Sequence, residues 1–229
     1  MNNRTKRIAS LALVFAMLIC TVFAFASCGE VKDYVYVTIA DGSGNLVMTH
    51  EKVELDDLTI NGALSAAHDK KYNGGASAGY ASADSEYGMM LTKLWGVENG
   101  GAYGYYVNNT AAMSLGDAVK VGDNVYAFIY QDATTYADKY AYFDSFTAEA
   151  KKGDKVTLTL SYFTYDENWS LVTMAAEGAT ITINGEKSDI VTGADGKAEL
   201  TFDKKGEYVI SAVSSDAVLT PAVCVVTVK

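Results

Sequence analysis

Residues 31–40 read VKDYVYVTIA, and this stretch decides the fold of the chain around it. Val35, Val37 and Ile39 alternate with two tyrosines and a threonine. A two-residue repeat puts the aliphatic side chains on one face, which is typical of a half-buried strand. Leu46–Val53 follows after a short polar turn, so the sequence predicts a β-hairpin here.

The segment after this hairpin has helical spacing. Its apolar residues recur three to four positions apart, and Thr59 or Asn61 can cap the start of a helix. The sequence predicts that this helix ends near residues 70–72. His68 then falls in the last turn, where the helix dipole favours a cation.

The rest of the first half is predicted to be β structure around this one helix. Strands are expected over Met89–Trp95 and Val125–Tyr130, with a Gly-rich turn over residues 97–104. Residues 76–85 are expected to form a loop or an irregular strand. The prediction for residues 34–131 is therefore an α+β domain that is mainly β.

Beyond residue 140 the pattern changes to short apolar runs at regular spacing. Asn184-Gly185 and Asp195-Gly196 lie between such runs and favour tight hairpins. Seven short strands are expected, which predicts an all-β immunoglobulin-like sandwich over residues 141–229. The polar segment 132–140 is predicted to be the linker. The strands are expected at 142–150, 155–164, 180–183, 188–192, 198–202, 207–213 and 223–228.

The first 28 residues have the pattern of an export signal. Three basic residues and no acid precede the apolar run Ile8–Ala26, and Ala26-Ser27 stands directly before Cys28. This resembles a bacterial lipoprotein signal, although Phe25 stands where Leu is usual. The resemblance implies that residues 1–27 are removed, that Cys28 carries diacylglycerol, and that residues 28–33 tether an extracytoplasmic chain to the cell membrane at the bacterial surface.

Two other interpretations of this leader stay open. Ala24-Phe25-Ala26 matches an A-x-A cleavage site, which would release a soluble protein. The run Ile8–Ala26 is also close to the ~20 apolar residues that a transmembrane helix needs, so it could be a retained anchor.

Charge and cysteine content limit the classes of function. Removal of residues 1–27 leaves 15 basic against 28 acidic residues, a net charge of −13. This excess argues against nucleic acid as a partner, because no basic patch is available for phosphates. Cys224 lies in an apolar run and is predicted to be a small buried hydrophobe. No recognised catalytic or metal-binding motif is present, so the sequence predicts a non-catalytic protein without a metal cofactor.

The first half resembles the bacterial domain that is similar to the C-terminal domain of transcobalamin and intrinsic factor. Three segments carry the resemblance: residues 59–64 in the predicted helix, residues 100–108 (GGAYGYYVN), and residues 115–130 with their Gly-Asp-x-Val turn. The 100–108 segment looks like the family's Trp-x-Tyr-Tyr-Val-Asn-Gly hairpin, with Tyr103 in place of Trp and Asn109 in place of Gly.

The resemblance implies a surface that faces a ligand, with cobalamin as one possible ligand. The candidate ligand-binding residues are Trp95, Tyr103, Tyr105, Tyr106 and Asn108. The alternative is that Tyr105 packs into the core and Tyr106 faces outward. The expected partners are the membrane, through Cys28, and a small molecule, a glycan or a protein.

Tyrosine is abundant, with 16 copies in the chain. Tyrosine side chains combine an apolar face with a hydroxyl, which suits binding surfaces as well as strands. We expect a binding module if exposed aromatic residues cluster, and a structural or adhesive protein if they are scattered.

Overall fold

A computed structural model describes residues 32–229, so the predicted signal, Cys28 and most of the tether lie outside the described residues. Residues Tyr34–Lys229 form one compact unit. This unit is mostly β-sheet with two helices. Both predicted domains fall within it, and their division at residues 132–140 stays a prediction.

The first half of the unit contains a five-stranded sheet. Its strands run in the order β2-β1-β7-β5-β6, and β1 and β7 are parallel. The helix α1 follows β2, and a short helix α2 leads into a separate two-stranded hairpin, β3-β4. The bounds are β1 Tyr34–Ala40, β2 Leu46–Glu54, α1 Ile60–Lys71, α2 Gly75–Gly79, β3 Ala81–Ser85, β4 Gly88–Lys93, β5 Tyr103–Val107, β6 Thr110–Ala111 and β7 Asn124–Ile129.

The second half consists of strands alone. One sheet has the order β13-β12-β15-β16-β9, in which β9 runs parallel to β16. In the other sheet, β10 pairs with β8, β11 and β14, all antiparallel. The bounds are β8 Ala141–Phe143, β9 Thr147–Ala150, β10 Lys155–Tyr165, β11 Leu171–Ala175, β12 Thr180–Ile183, β13 Glu186–Val191, β14 Lys197–Thr201, β15 Gly206–Val213 and β16 Cys224–Val228.

Most of the predicted elements are confirmed. For example, Thr59 is the N-cap of α1, as predicted, and its hydroxyl accepts a hydrogen bond from the Gly62 N–H at 3.0 Å. Four details differ from the prediction. Helix α2 and strand β11 were not predicted. The strand expected over 142–150 is two strands, because the chain changes from one sheet to the other between β8 and β9. The expected Gly-rich turn ends in β5.

The first sheet is apolar on both faces. On one face, β1, β7 and α1 form a core that includes Val37, Ile60 and Ala127. On the other face, Tyr126 and Phe128 of β7 form an aromatic core with Tyr140. A strand with two buried faces needs an apolar cover on each side, and here the second cover comes from Tyr140 at the end of the predicted linker and from Tyr142 and Phe163 beyond it.

The aromatic core joins the two halves of the unit. The rings of Tyr106 and Tyr140 stack with centroids 3.6 Å apart and planes 6° apart. The Tyr140 hydroxyl donates to Asn109 Oδ1 at 2.9 Å, and the Tyr126 hydroxyl donates to the Pro221 carbonyl at 2.9 Å. The contacts of Tyr140 reach the last residue of the predicted linker, and the Tyr126–Pro221 bond spans it, so the halves share buried surface as well as a chain connection.

Truncation of Tyr140 tests this coupling. Tyr140 is 4% exposed, so we expect Tyr140→Ala to lower the free energy of unfolding by about 3–5 kcal/mol, the usual cost of losing a buried ring. Urea denaturation followed by circular dichroism measures the change.

The matched control is Tyr87→Ala, because Tyr87 is 74% exposed. We expect this control to stay within about 0.5 kcal/mol of the parent chain. A cost for Tyr140→Ala no larger than that of Tyr87→Ala would contradict the proposed coupling.

Candidate functional site

Three of the predicted binding residues support the fold of the β3–β5 region. The Tyr105 side chain is 6% exposed and lies in the helix-side core, as the alternative interpretation expected. The Tyr103 hydroxyl donates to the carbonyls of Thr92 and Val97 at 3.0 and 2.8 Å. The half-buried Trp95 ring packs against the same core. All three side chains therefore have structural partners.

The other two predicted residues lie elsewhere on the sheet. Tyr106 points to the opposite face from Tyr105, where it stacks on Tyr140. Asn108 has φ +47° in the β5–β6 turn, and its amide donates to Asp123 Oδ1 at 2.8 Å and accepts from the Asn124 N–H at 2.9 Å. The structure does not bring the five residues together as one surface. Their role in binding stays a prediction.

Trp95 is held in place by a buried histidine. His68 is fully buried in the last turn of α1, where its Nδ1 lies 2.6 Å from the Leu64 carbonyl oxygen. The Trp95 backbone N–H donates to His68 Nε2 at 3.0 Å. The ring is thus neutral, with its proton on Nδ1 donated to Leu64. Burial lowers the pKa of His68, although the Leu64 bond and Asp69 oppose this shift. His68 is therefore not the cation that the helix dipole favours at this end, whereas Lys70 and Lys71 lie in the same last turn.

Exposed aromatic side chains cluster where the two halves meet. Trp169 is 84% exposed, Tyr165 63% and Tyr136 54%, whereas Tyr106 and Tyr130 are half-buried. The ring centroids of Tyr165 and Trp169 are 6.4 Å apart, and those of Tyr130 and Tyr136 are 5.2 Å apart. Tyr165 adds to the raised pKa of Tyr106 and of Tyr130, so its hydroxyl lies within electrostatic range of theirs. We call these five residues the aromatic surface.

A tight turn presents Trp169 to solvent. One carboxylate oxygen of Asp166 accepts from the Asn168 and Ser170 N–H groups at 2.8 and 2.9 Å. The Trp169 N–H donates to the Asp166 carbonyl at 3.0 Å, and Trp169 adopts φ +60°. Aspartate stabilises such turns through its side chain. The turn therefore fixes the backbone that carries this exposed ring.

A second aspartate-stabilised turn presents Tyr136. The Asp132 carboxylate accepts hydrogen bonds from the Thr135 hydroxyl and, at 3.0 Å, from the Thr135 and Thr134 N–H groups, and these bonds lower the pKa of Asp132. The Tyr136 N–H donates to the Asp132 carbonyl at 3.0 Å, and Tyr136 has φ +55°. The segment predicted as a linker is thus an ordered turn that contributes an aromatic ring.

Tyr106 and Tyr130 of this surface are neutral at physiological pH. Burial raises the pKa of Tyr106 to about 12, and nearby Tyr130 and Tyr165 add to the shift. Burial and Asp138 raise the pKa of Tyr130 as well. Neutral hydroxyls can both donate and accept hydrogen bonds. The acids Asp132, Asp138 and Asp166 lie beside these rings in the chain, so the surface suits a neutral ligand rather than an anion.

A groove of about 870 Å³ lies in the described part of the chain. Thr182 and Ser211, which are opposite each other on β12 and β15, form part of its lining. Asp216 is the one charged lining residue, and no aromatic residue lines it. The remaining lining residues are small polar or aliphatic: Ser43, Gly44, Asn45, Leu46, Thr49, Gln131, Asn184, Gly185, Val209, Ala212, Val213, Ser214, Ser215, Ala217, Val218, Leu219 and Pro221.

Three other properties of the described residues bear on function: metal binding, thiol reactivity and the capacity of a helix to span a membrane. Among them, no three His, Cys, Asp or Glu side chains group closely enough to hold a metal ion. Cys224 is fully buried, as predicted, and burial raises the pKa of its thiol to about 12. Within residues 32–229, no helix has the length and apolar content to cross a membrane.

The comparison with solved structures yields a weak structural similarity. No family model matches the chain, and no curated protein sequence matches it. Among solved structures, the chain is similar to the ectodomain of a teleost fish polymeric Ig receptor, at 14% identity and a TM-score of 0.22. That match covers 62% of this chain and 66% of the receptor chain, just under two thirds of the receptor's length. A similarity at this level carries no argument about function.

Sequence reasoning missed most of the aromatic surface. Of its five residues only Tyr106 was a candidate, because the candidates came mainly from residues 100–108, which resemble the transcobalamin-type hairpin. A local signal was present in Asp166-x-x-Trp169 and Asp132-x-x-x-Tyr136. In each segment an aspartate able to stabilise a turn precedes an aromatic residue without an apolar rhythm around it.

The buried neutral His68 predicts a pH dependence of stability. An unfolded histidine has a pKa near 6.5, whereas the native pKa is lower. Between these two pKa values, His68 is protonated in the unfolded state but not in the native state. The free energy of unfolding therefore falls as the pH drops below about 6.5. Urea denaturation at about pH 5 and about pH 7.5 measures the difference.

We expect His68→Gln to show a smaller stability difference between these two pH values than the parent chain. His50→Gln is the comparison, because burial also lowers the pKa of His50, although less of its surface is covered. If His68→Gln keeps the full pH dependence of the parent, His68 is not its source.

Proposed function

We propose that this protein is a membrane-anchored extracytoplasmic lipoprotein that acts as a non-catalytic binding module. In this proposal Cys28 carries the lipid, and residues 34–229 extend from the membrane to bind a ligand. The net charge of −13 supports an extracellular, uncharged ligand rather than nucleic acid. It also favours anchoring by acyl chains over adsorption to anionic lipid headgroups.

We further propose a finer assignment of the fold. Residues 34–131 would be a domain like the C-terminal domain of transcobalamin, which the mixed sheet with parallel β1 and β7 and one long helix supports. Residues 141–229 would be an immunoglobulin-like sandwich, which two sheets around one core support. Fold alone does not identify a ligand, so the functional proposal depends on the surface residues.

The aromatic surface is the observation that carries the proposal. Single exposed apolar residues are ordinary, whereas a cluster of them marks an interaction surface. Turns hold the Trp169 and Tyr136 side chains in solvent instead of in the core. Their apolar area therefore gives no stabilisation by burial unless a ligand covers it. Aromatic rings offer flat apolar faces and the hydroxyls add hydrogen bonds. Sugar rings, with apolar faces and hydroxyl edges, match this chemistry.

A corrinoid is the second candidate ligand, and the groove favours it. A volume of about 870 Å³ lies in the ~300–1,000 Å³ range of small-molecule sites. Its hydroxyl and amide groups, such as Thr182, Ser211 and Gln131, suit a ligand with amide side chains. The resemblance to the transcobalamin domain supplies this candidate, whereas the aromatic surface supports the glycan.

A structural or adhesive role is the alternative function. In that case the aromatic surface would pack permanently against an envelope protein, and the purified protein would bind neither sugars nor corrinoids. The distinction is experimental, because both roles would cover the same side chains.

Binding to oligosaccharides tests the proposal. The soluble chain from Gly29 onward is suitable, because Tyr34–Lys229 is one compact unit with its own cores. Oligomers of glucose and of N-acetylglucosamine are titrated in calorimetry, followed by cobalamin and cobinamide. We expect saturable oligosaccharide binding that weakens at least about tenfold in Trp169→Ala, equivalent to ~1.4 kcal/mol.

Tyr87→Ala is the matched control, because Tyr87 is exposed and lies in the β3–β4 turn. It should bind like the parent chain. A Trp95→Phe variant leaves Trp169 as the sole tryptophan, and its fluorescence should then change on binding. Corrinoid binding that is unaffected by Trp169→Ala would assign the function to the groove. No binding of either ligand class would leave the adhesive role.

A further inference from the structure

The edge strands of the sheets differ in how they are protected. An unpaired strand edge can pair with another chain, and proteins usually block it with charged residues or short strands. Among the described strands, β2 contains Glu51 and Lys52, β13 contains Glu186 and Lys187, and β14 contains Lys197 and Glu199. Strand β6 has only two residues.

Strand β11 has none of these protections. It reads LVTMA over Leu171–Ala175, with no charged residue and no proline. Leu171 is 56% exposed and Met174 is 47% exposed. Strand β11 pairs with β10 alone, through five antiparallel residue pairs from Ser161↔Ala175 to Tyr165↔Leu171. Its other edge is free within the described residues.

The β11 sequence is complementary to itself about its central residue. In an antiparallel pair with a second β11, Thr173 would face Thr173 on the twofold axis. Leu171 would face Ala175, and Val172 would face Met174. A large residue then meets a small one, and two β-branched threonines meet at the centre, which are favourable cross-strand pairs. Such a twofold contact uses the same surface on both partners.

We propose that two copies of this chain associate by antiparallel pairing of their β11 strands about Thr173. The partner is a second copy, because the residues of β11 form favourable cross-strand pairs with those of another β11. The strand also has no charged residue that would require an oppositely charged partner. Anchoring of two chains in one membrane would raise their effective concentration. The dimer itself depends only on β11 and not on the proposed ligand.

The charge of the chain opposes this association and makes it sensitive to salt. Each copy carries a net charge of −13 once residues 1–27 are removed, and Asp166, Glu167 and Glu177 flank β11. Salt screens such repulsion over a few ångströms to about 10 Å. The association therefore strengthens as salt concentration rises, opposite to an association held by ion pairs.

Pairing about Thr173 would enlarge the aromatic surface, and this consequence rests on the proposed function. Phe163, Tyr165 and Leu171 share a face of the β10–β11 hairpin with Thr173, since Phe163 is paired with Thr173 and Tyr165 with Leu171. A twofold axis perpendicular to the sheet keeps this face on the same side in both copies. The two aromatic surfaces would then lie side by side and offer a longer ligand two sets of rings.

Cysteine substitution at the axis gives the first test. Paired Cα atoms in antiparallel strands lie about 4.5–5.5 Å apart, within the ~4.4–6.8 Å span of a disulfide. In the soluble chain from Gly29 onward, Thr173→Cys should form an intermolecular disulfide under mild oxidation. Thr201→Cys is the matched control, on the exposed edge of β14. The native Cys224 is buried and does not interfere.

Sedimentation velocity gives the second test. The parent chain should dimerise at tens of micromolar protein and more strongly in high salt, whereas Thr173→Lys, which places two cations on the axis, should remain monomeric. Thr201→Lys should dimerise like the parent. Circular dichroism verifies that each variant is folded.

The outcomes separate the two proposals. A parent chain that stays monomeric in high salt, or a Thr173→Lys variant that dimerises normally, overturns the proposed dimer. Equal rates of disulfide formation for Thr173→Cys and Thr201→Cys overturn it as well. None of these results bears on ligand binding, because the oligosaccharide titration is read through Trp169, outside β11.

Discussion

The central constraint in this structure is that the first sheet must bury both of its faces. Helix α1 covers one face, and the rings of Tyr140, Tyr142 and Phe163 cover the other. The stack of Tyr106 on Tyr140 is the closest ring contact of this second cover. Because these rings belong to the segment beyond residue 139, the first half cannot complete its core without the second.

This shared core also explains where the aromatic surface lies. Tyr106 and Tyr130 pack at the edge of the buried aromatic cluster, and Tyr165, at the end of β10 in the second half, lies within electrostatic range of both. The surface is therefore assembled from both halves, with aspartate-stabilised turns adding Tyr136 and Trp169. A ligand bound there would contact both halves, and its affinity would depend on the packing between them.

The sequence predicted the helices and strands better than the way in which they pack against one another. Alternating residues in β1 and the cap at Thr59 are local signals, and both predictions are confirmed. Strand β11 and the placement of Tyr106 depend on contacts between residues far apart in the chain. Gly104 shows the same limit: it was predicted in a turn but lies in β5, where an added Cβ would be 2.3 Å from the Phe128 ring. Such a close approach between distant residues has no local pattern.

Scanning calorimetry of the chain from Gly29 onward tests the central claim most directly. If the aromatic core makes Tyr34–Lys229 one cooperative unit, the chain unfolds in a single transition whose calorimetric and van't Hoff enthalpies agree. Two resolved transitions, with one half unfolding while the other keeps its native enthalpy, would show instead that the halves are independent and that the shared core contributes little.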